Sequence, residues 1–198
     1  MIGLFGGTFD PIHNGHLKVV TQVCAEMSLE EIIVVPAGYP YMKNDVLTSP
    51  ENRLRMVELA LDGLPKLSVS DTEIKRCGPS YTADTFRELQ AIRSNQKICV
   101  IMGMDAVLGI PRWDNPKEFI DLCKIIAITR PNHQAIETSK LHEQYENANI
   151  SILPISTPDI SSTEIRERVA EGRDFKHMVP KKVAEFIIDN QLYLPGPE

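Results

Sequence analysis

Two histidines three residues apart, His13 and His16, follow a pair of glycines in the run Gly6-Gly7-Thr8-Phe9-Asp10-Pro11-Ile12-His13-Asn14-Gly15-His16-Leu17. Glycine has no Cβ, so the backbone at Gly6 and Gly7 can approach a bulky anion, adopt φ > 0 and turn peptide N–H groups toward phosphate oxygens. A helix beginning near Asn14-Gly15-His16 adds the positive end of its dipole. Residues three apart share a helix face, so both imidazoles are expected on one side of its first turn. Two imidazole donors facing one phosphate suit phosphoryl or nucleotidyl transfer, where catalysis is mostly positioning and charge stabilisation. The same spacing could be half of a metal site, but zinc takes three or four ligands and no Cys, Asp or Glu cluster follows nearby. Two histidines capping a core helix are the third reading.

The elements that must position these groups alternate along the chain. Met1 to Phe5 reads as a buried strand, and His16 to Met27 as a helix with Leu17, Val20, Val23, Cys24 and Met27 on one face. Ile32-Ile33-Val34-Val35 is a second buried strand, closed by Pro36-Ala37-Gly38, so the unit is βαβ and its strands are parallel. The polar stretch after it carries Lys43, in the kind of strand-end loop where α/β sheets bind ligands. Ser49-Pro50-Glu51 opens a helix packing through Met56, Leu59 and Ala60, with Arg53 and Arg55 in its first turns, either solvated or facing an anion. Leu67 to Ser70 alternates like a short strand. Gly78-Pro79 forces a turn, and Ser80 or Thr82 can cap a helix running through Thr85, Leu89 and Ile92.

Ile98 to Met102 is the clearest buried strand and ends in Gly103-Met104-Asp105, where a carboxylate can accept from ribose hydroxyls. The only tryptophan, Trp113, lies on a loop, as a core anchor or a stacking surface for an aromatic base. Asn115-Pro116-Lys117-Glu118 has cap, proline and glutamate for another helix start. Lys124 to Thr129 and Ile150 to Pro154 read as strands, with a helix expected over 133–148 and a last one from Pro180 to Leu192. Ser161 and Glu164 fit a capping box at the head of Ser161-Ser162-Thr163-Glu164-Ile165-Arg166, whose three hydroxyls and guanidinium also make an anion pocket. The expected fold class is a single α/β domain over residues 1–198, a Rossmann-like three-layer α/β/α arrangement with a mostly parallel sheet of five or six strands.

Composition narrows the partners. With 42% hydrophobic and 24% charged residues, the 198-residue chain has an ordinary globular balance. A net charge of −6 argues against a duplex nucleic-acid partner. No apolar run approaches the ~18 residues of a membrane span, and no signal peptide is evident, so a cytoplasmic location is expected. Cys24, Cys77, Cys99 and Cys123 form no C-x-x-C and read as reduced structural thiols. A nicotinamide-dependent oxidoreductase would want G-x-G-x-x-G and an acidic residue closing the second strand, where this chain has Pro36-Ala37. A P-loop enzyme would want G-K-[ST], which does not occur.

The Gly6 to His16 run resembles the signature of the H-x-G-H nucleotidyltransferases, and more closely that of bacterial nicotinate-nucleotide adenylyltransferases. Ile160-Ser161-Ser162-Thr163-x-Ile165-Arg166 resembles the C-terminal motif of the same superfamily, and the order and spacing of the two are intact. The resemblance implies transfer of AMP from ATP to nicotinate mononucleotide, with Mg2+ carried by the phosphates and homo-oligomers allowed. It implies catalytic roles for His13, His16, Lys43 and Arg166. ATP contacts fall to Gly6, Gly7, Thr8, Phe9, His16, Gly103, Asp105, Ile160, Ser161, Ser162, Thr163 and Arg166. Contacts to nicotinate mononucleotide fall to Thr8, Lys43, Tyr81, Thr82, Trp113 and Arg130. Several relatives place asparagine just after the second-strand proline, where this chain has Ala37-Gly38, and Met42 stands where a polar residue is common. Nicotinamide mononucleotide and phosphopantetheine are therefore alternative acceptors, and a nucleotide sensor without turnover is the non-enzymatic alternative.

Overall fold

The protein is described by a computed structural model covering residues 1–40, 46–113, 115–129, 143 and 148–195. Six strands, β1 (Ile2–Gly7), β2 (Glu31–Pro36), β3 (Leu67–Val69), β4 (Ile98–Gly103), β5 (Lys124–Thr129) and β6 (Ile150–Pro154), form one sheet in the order β3-β2-β1-β4-β5-β6. Every neighbouring pair is parallel. The helices are α1 (Asn14–Glu26), α2 (Pro50–Leu61), α3 (Thr72–Lys75), α4 (Thr82–Ile92), α5 (Met104–Gly109), α6 (Pro116–Leu122), α7 (Ser162–Ala170) and α8 (Lys181–Asp189).

Strands that are apolar at every position, such as Ile32 to Val35, need cover on both faces, and the pleat divides them between two cores. Phe5, Ile32, Val34, Cys99, Ile101 and Ile126 pack with α1, α2, α7 and α8. Leu4, Ile33, Val35, Val100, Met102, Ile125 and Ala127 pack with α4, α5 and α6. The result is the expected three-layer α/β/α fold with six strands. Among the described residues, no helix is long and apolar enough to cross a membrane.

Local chemistry departs from expectation at several helix ends. Ser49 caps α2 as expected, its Oγ accepting from the Asn52 N–H at 3.2 Å. Neither Ser80 nor Thr82 caps α4. Tyr81 takes the cap position, and the Ser80 Oγ accepts instead from the N–H groups of Gly38 and Tyr39 at 2.9 and 3.2 Å. Asn115 precedes α6 in a left-handed conformation, φ 51°, without a side-chain capping bond. Ser161 caps α7 through the Glu164 N–H, but the Glu164 carboxylate pairs with Arg168 one turn on and leaves the capping box half made. The last helix stops at Asp189, short of Leu192, because Gln191 and Tyr193 adopt positive φ. The short α3 was not anticipated, and the helix expected over 133–148 lies outside the described residues apart from Glu143 and Ala148.

All four cysteines are free, and only Cys77 is exposed. Burial pushes the Cys99 thiol up to about 11 and the Cys123 thiol up to about 12, so neither offers thiolate near neutrality. In the native protein, Ellman's reagent should titrate Cys77 alone on mixing, with Cys24, Cys99 and Cys123 reacting only in denaturant; a second fast thiol would contradict this packing.

Candidate active site

The strand order reverses between β1 and β4, since β2 and β3 continue on one side and β5 and β6 on the other. At such a switch point the loops leaving the strands part, and a crevice opens beyond their C-terminal ends. The register, Phe5 beside Ile101, brings Gly7 and Gly103 to the same edge of the sheet. The loop after β1 lines a cleft of about 430 Å³ there, bounded by Gly7, Thr8, Phe9, Asp10, His13, His16, Val46, Ile160, Ser161, Ser162, Thr163 and Arg166. The glycine-histidine loop and the serine-threonine start of α7 thus face one another across one space. A second cavity of about 410 Å³, between α7 and α8, contains none of these residues.

The loop after β1 is anchored through its carbonyls. Arg53 of α2 is only 1% exposed, and its Nη1 donates to Thr8 O at 2.9 Å and to Ala37 O, while Nη2 donates to Gly38 O at 2.9 Å. One guanidinium therefore ties the loop after β1 to the loop after β2. Burial lowers its pKa, and the Asp10 charge partly opposes that shift. Arg55 remains exposed, pairing with Glu58 at 2.9 Å. At the other side of the loop, Arg166 Nη1 donates to Asp10 O at 3.0 Å and Ser162 Oγ to Pro11 O at 2.9 Å. The Asp10 carboxylate is buried and accepts from Thr48 Oγ1 at 2.6 Å, Leu47 N at 2.8 Å and Tyr193 OH at 2.8 Å.

Gly6 and Gly7 are not left-handed; the positive φ in this loop belongs to Phe9, at 52°. The glycines serve close approach instead. A Cβ on Gly7 would lie 2.7 Å from the Phe9 ring, and a Cβ on Gly6 would project into space with no protein atom within 4 Å. Gly38 is fixed by the same kind of crowding, since a Cβ there would sit 2.2 Å from the Glu73 carbonyl.

His13 is the cap residue of α1 rather than part of its first turn. Its ring stacks on His16, with centroids 3.7 Å apart and planes at 30°, and His16 meets Phe9 edge-on at 5.1 Å. Gly15 permits this arrangement, because a Cβ would lie 3.0 Å from the His13 ring. The His13 backbone N–H donates to His16 Nδ1 at 3.2 Å, which places the proton of neutral His16 on Nε2. His13 is 7% exposed, and its buried Nδ1 has no hydrogen-bond partner among the described residues.

Among the described residues, the remaining positions named from the sequence do not line this cleft. Gly6 is exposed at the end of β1, Gly103 is the exposed cap of α5 and Asp105 is exposed in its first turn. Tyr81 and Thr82 start α4, next to the Ser80 contact with the loop after β2. The partly buried Trp113 packs on Phe119 with ring centroids 5.2 Å apart. Lys43 and Arg130 lie outside the described residues. Sequence reasoning assigned no role to Asp10 and left Arg53 open. The signal for Arg53 was its place on the i, i+3, i+4, i+7 stripe with Met56, Val57 and Ala60, all of them buried.

Burial lowers the His13 pKa from 6.5 to about 4, so the ring is neutral at physiological pH. Between these values the unfolded chain binds more protons than the folded one, so stability rises with pH across that window and is lost as pH falls through it. Replacing His13 by Gln should flatten this dependence by up to roughly 3 kcal/mol, read by urea denaturation across the window. An unaltered profile would place the folded-state titration of His13 near its ordinary value.

A family model described as cytidylyltransferase-like matches residues 4–168. The probable nicotinate-nucleotide adenylyltransferase of Dehalococcoides mccartyi is 40% identical over 195 residues, covering 96% of this chain and 96% of that one. The corresponding protein of Clavibacter michiganensis subsp. michiganensis is 38% identical over 192 residues, covering 97% of this chain and 93% of that one. Among solved structures, Plasmodium falciparum nicotinic acid mononucleotide adenylyltransferase complexed with NaAD superposes with a TM-score of 0.77, covering 97% of this chain and 96% of that one; at 21% identity this speaks for the fold. With the matches extending over nearly the whole chain, the protein belongs to the cytidylyltransferase-like family and, within it, to the nicotinate-nucleotide adenylyltransferases.

Proposed function

We propose that this protein moves the adenylyl group of ATP onto the phosphate of nicotinate mononucleotide, giving nicotinate adenine dinucleotide and pyrophosphate in NAD biosynthesis. The observation that carries the reading is the convergence of the histidine loop and the head of α7 on one cleft at the strand C-termini. A phosphate oxygen of the mononucleotide forms a bond to the α-phosphorus as the bond from that phosphorus to the bridging oxygen breaks, and pyrophosphate leaves with the electron pair. The attacking oxygen is already ionised, so neither a covalent enzyme intermediate nor a strong base is required.

The obstacle is charge. Two negative charges ~4 Å apart repel by roughly 4 kcal/mol at an effective dielectric near 20, so donors must converge between the phosphates. His16 donates its Nε2 proton toward the α-phosphate, with His13 stacked behind it as an uncharged partner. Arg166 and the N-terminus of α7 hold the leaving phosphates. The Ser161 hydroxyl accepts the Glu164 N–H and keeps its own proton to donate, and Ser162 and Thr163 complete that wall. The open space at Gly6 admits the triphosphate, Thr8 reaches both substrates, and Phe9 and Ile160 supply apolar walls. Gly103 and Asp105 take the ATP ribose. Tyr81, Thr82 and Trp113 take the nicotinate ring, while Lys43 and Arg130 belong to the same reading as phosphate and mononucleotide contacts.

Mg2+ enters on the triphosphate rather than on the protein. Among the described residues no group of three His, Cys, Asp or Glu side chains could ligate a cation, and the Asp10 carboxylate is committed to three donors. Bound to ATP, the ion neutralises charge that builds on the departing pyrophosphate.

Loss of the His16 donor by substitution to Ala should lower turnover by ~100-fold or more, measured as pyrophosphate release. A near-normal rate would remove His16 from the transfer. Comparing nicotinate mononucleotide, nicotinamide mononucleotide and phosphopantetheine as acceptors should show fastest release with the first. Faster release with another would reassign the acceptor, and release with none would leave a nucleotide-binding protein.

A further inference from the structure

Tyr193, near the far end of the chain, is a buried titratable group for which the transfer as described has no use. It follows α8 in a left-handed conformation, φ 66°, which is unfavourable for a residue with a Cβ and persists only where surrounding contacts fix it. Its side chain is 8% exposed, and its hydroxyl donates to Asp10 Oδ1 at 2.8 Å, with Met56 Sδ at 3.9 Å. Burial and the facing Asp10 carboxylate push the phenol far above its usual range, so it remains a donor at any working pH.

Asp10 lies at the centre of a short relay. Thr48 Oγ1 shares Oδ1 with Tyr193, and Leu47 N holds Oδ2. The carbonyl of the same residue accepts from Arg166, and the next carbonyl, Pro11 O, accepts from Ser162. The three donors fix the Asp10 side chain, and the Asp10 and Pro11 carbonyls fix where α7 presents Arg166 and Ser162. We propose that Tyr193 is a positioning residue for ATP: through the Asp10 carboxylate it holds the backbone of Asp10 and Pro11, to whose carbonyls Arg166 and Ser162 are tied. A buried tyrosine hydroxyl whose partner served only the fold would make the same single bond, but it would have no coupling to Arg166.

The inference rests on the assignment of Arg166 to the ATP phosphates, and its test reads ATP binding directly. Tyr193→Phe keeps the buried ring and removes only the donor. Binding of Mg-ATP by calorimetry should weaken about tenfold in this variant, the scale of one lost hydrogen bond to a charged group. In an Arg166→Ala background the same change should weaken binding by clearly less than tenfold, since only the Ser162 arm of the relay then remains. Unchanged ATP affinity in Tyr193→Phe, or a full additional loss in the Arg166→Ala background, would overturn the proposal, as would a lowered melting temperature with ATP affinity intact. Should Tyr193→Phe not fold, Thr48→Val removes the other donor to the same oxygen and carries the same test. Failure of the wild type to release pyrophosphate with nicotinate mononucleotide would count against the proposed reaction alone, because the ATP affinities are read without turnover.

Discussion

The site depends on a loop held from behind by its own carbonyls. Thr8 O accepts from Arg53, Asp10 O from Arg166 and Pro11 O from Ser162, so side chains of α2 and α7 grip three of the first four residues after β1. A hydrogen bond from a charged donor contributes about 1.5–3 kcal/mol, and a buried donor left unmatched costs about 1–3 kcal/mol. Arg53 shows both sides of that balance: three of its possible bonds are made to carbonyls, while its Nε finds no partner among the described residues. A planar guanidinium can span Thr8 and the Ala37–Gly38 turn at once, which a lysine ammonium, a compact point charge, would do less well. With its carbonyls committed inward, the loop offers its other side to the cleft.

The same constraint explains how an acidic chain can serve anionic substrates. The net charge of −6 sets the average field, but the cleft wall is made of imidazoles, hydroxyls and Arg166. Among the described residues lining it the one carboxylate, Asp10, is buried and turned to three donors of its own, which stabilise its charge away from an incoming phosphate. The stacked histidines follow a related logic. Burial keeps His13 uncharged, and an uncharged ring can lie 3.7 Å from His16 without the repulsion that two imidazolium ions would feel. Gly15 and Phe9 supply the shape, one by withholding a Cβ and the other by closing the edge of His16.

How much of this was legible in the chain depends on the range of the interaction responsible. Apolar runs and turn residues are local signals, and β5 and β6 fall where the sequence placed them. The Ser49 cap of α2 and the Ser161 cap of α7 were also readable, because each bond spans three residues. The caps expected from Ser80 and Asn115 failed because tertiary partners or backbone geometry took over: Ser80 turns to the loop after β2, some forty residues away, and Asn115 sits in the left-handed region. Arg53 could be placed on the buried stripe of α2, but its acceptors could not, since they belong to loops elsewhere in the chain.

By itself the sequence determined the layer architecture and the two motifs that bear the chemistry, because hydrophobic period, glycine freedom and helix-capping chemistry act between near neighbours. Only the tertiary structure decided that the two motifs share a cleft, that His13 is buried and neutral, that Gly38 answers to the Glu73 carbonyl, and that the chain's last aromatic residue reaches Asp10. Each of those depends on strand order in the sheet and on which distant atoms it makes adjacent, and contacts between distant segments leave no period in the chain from which they could be read.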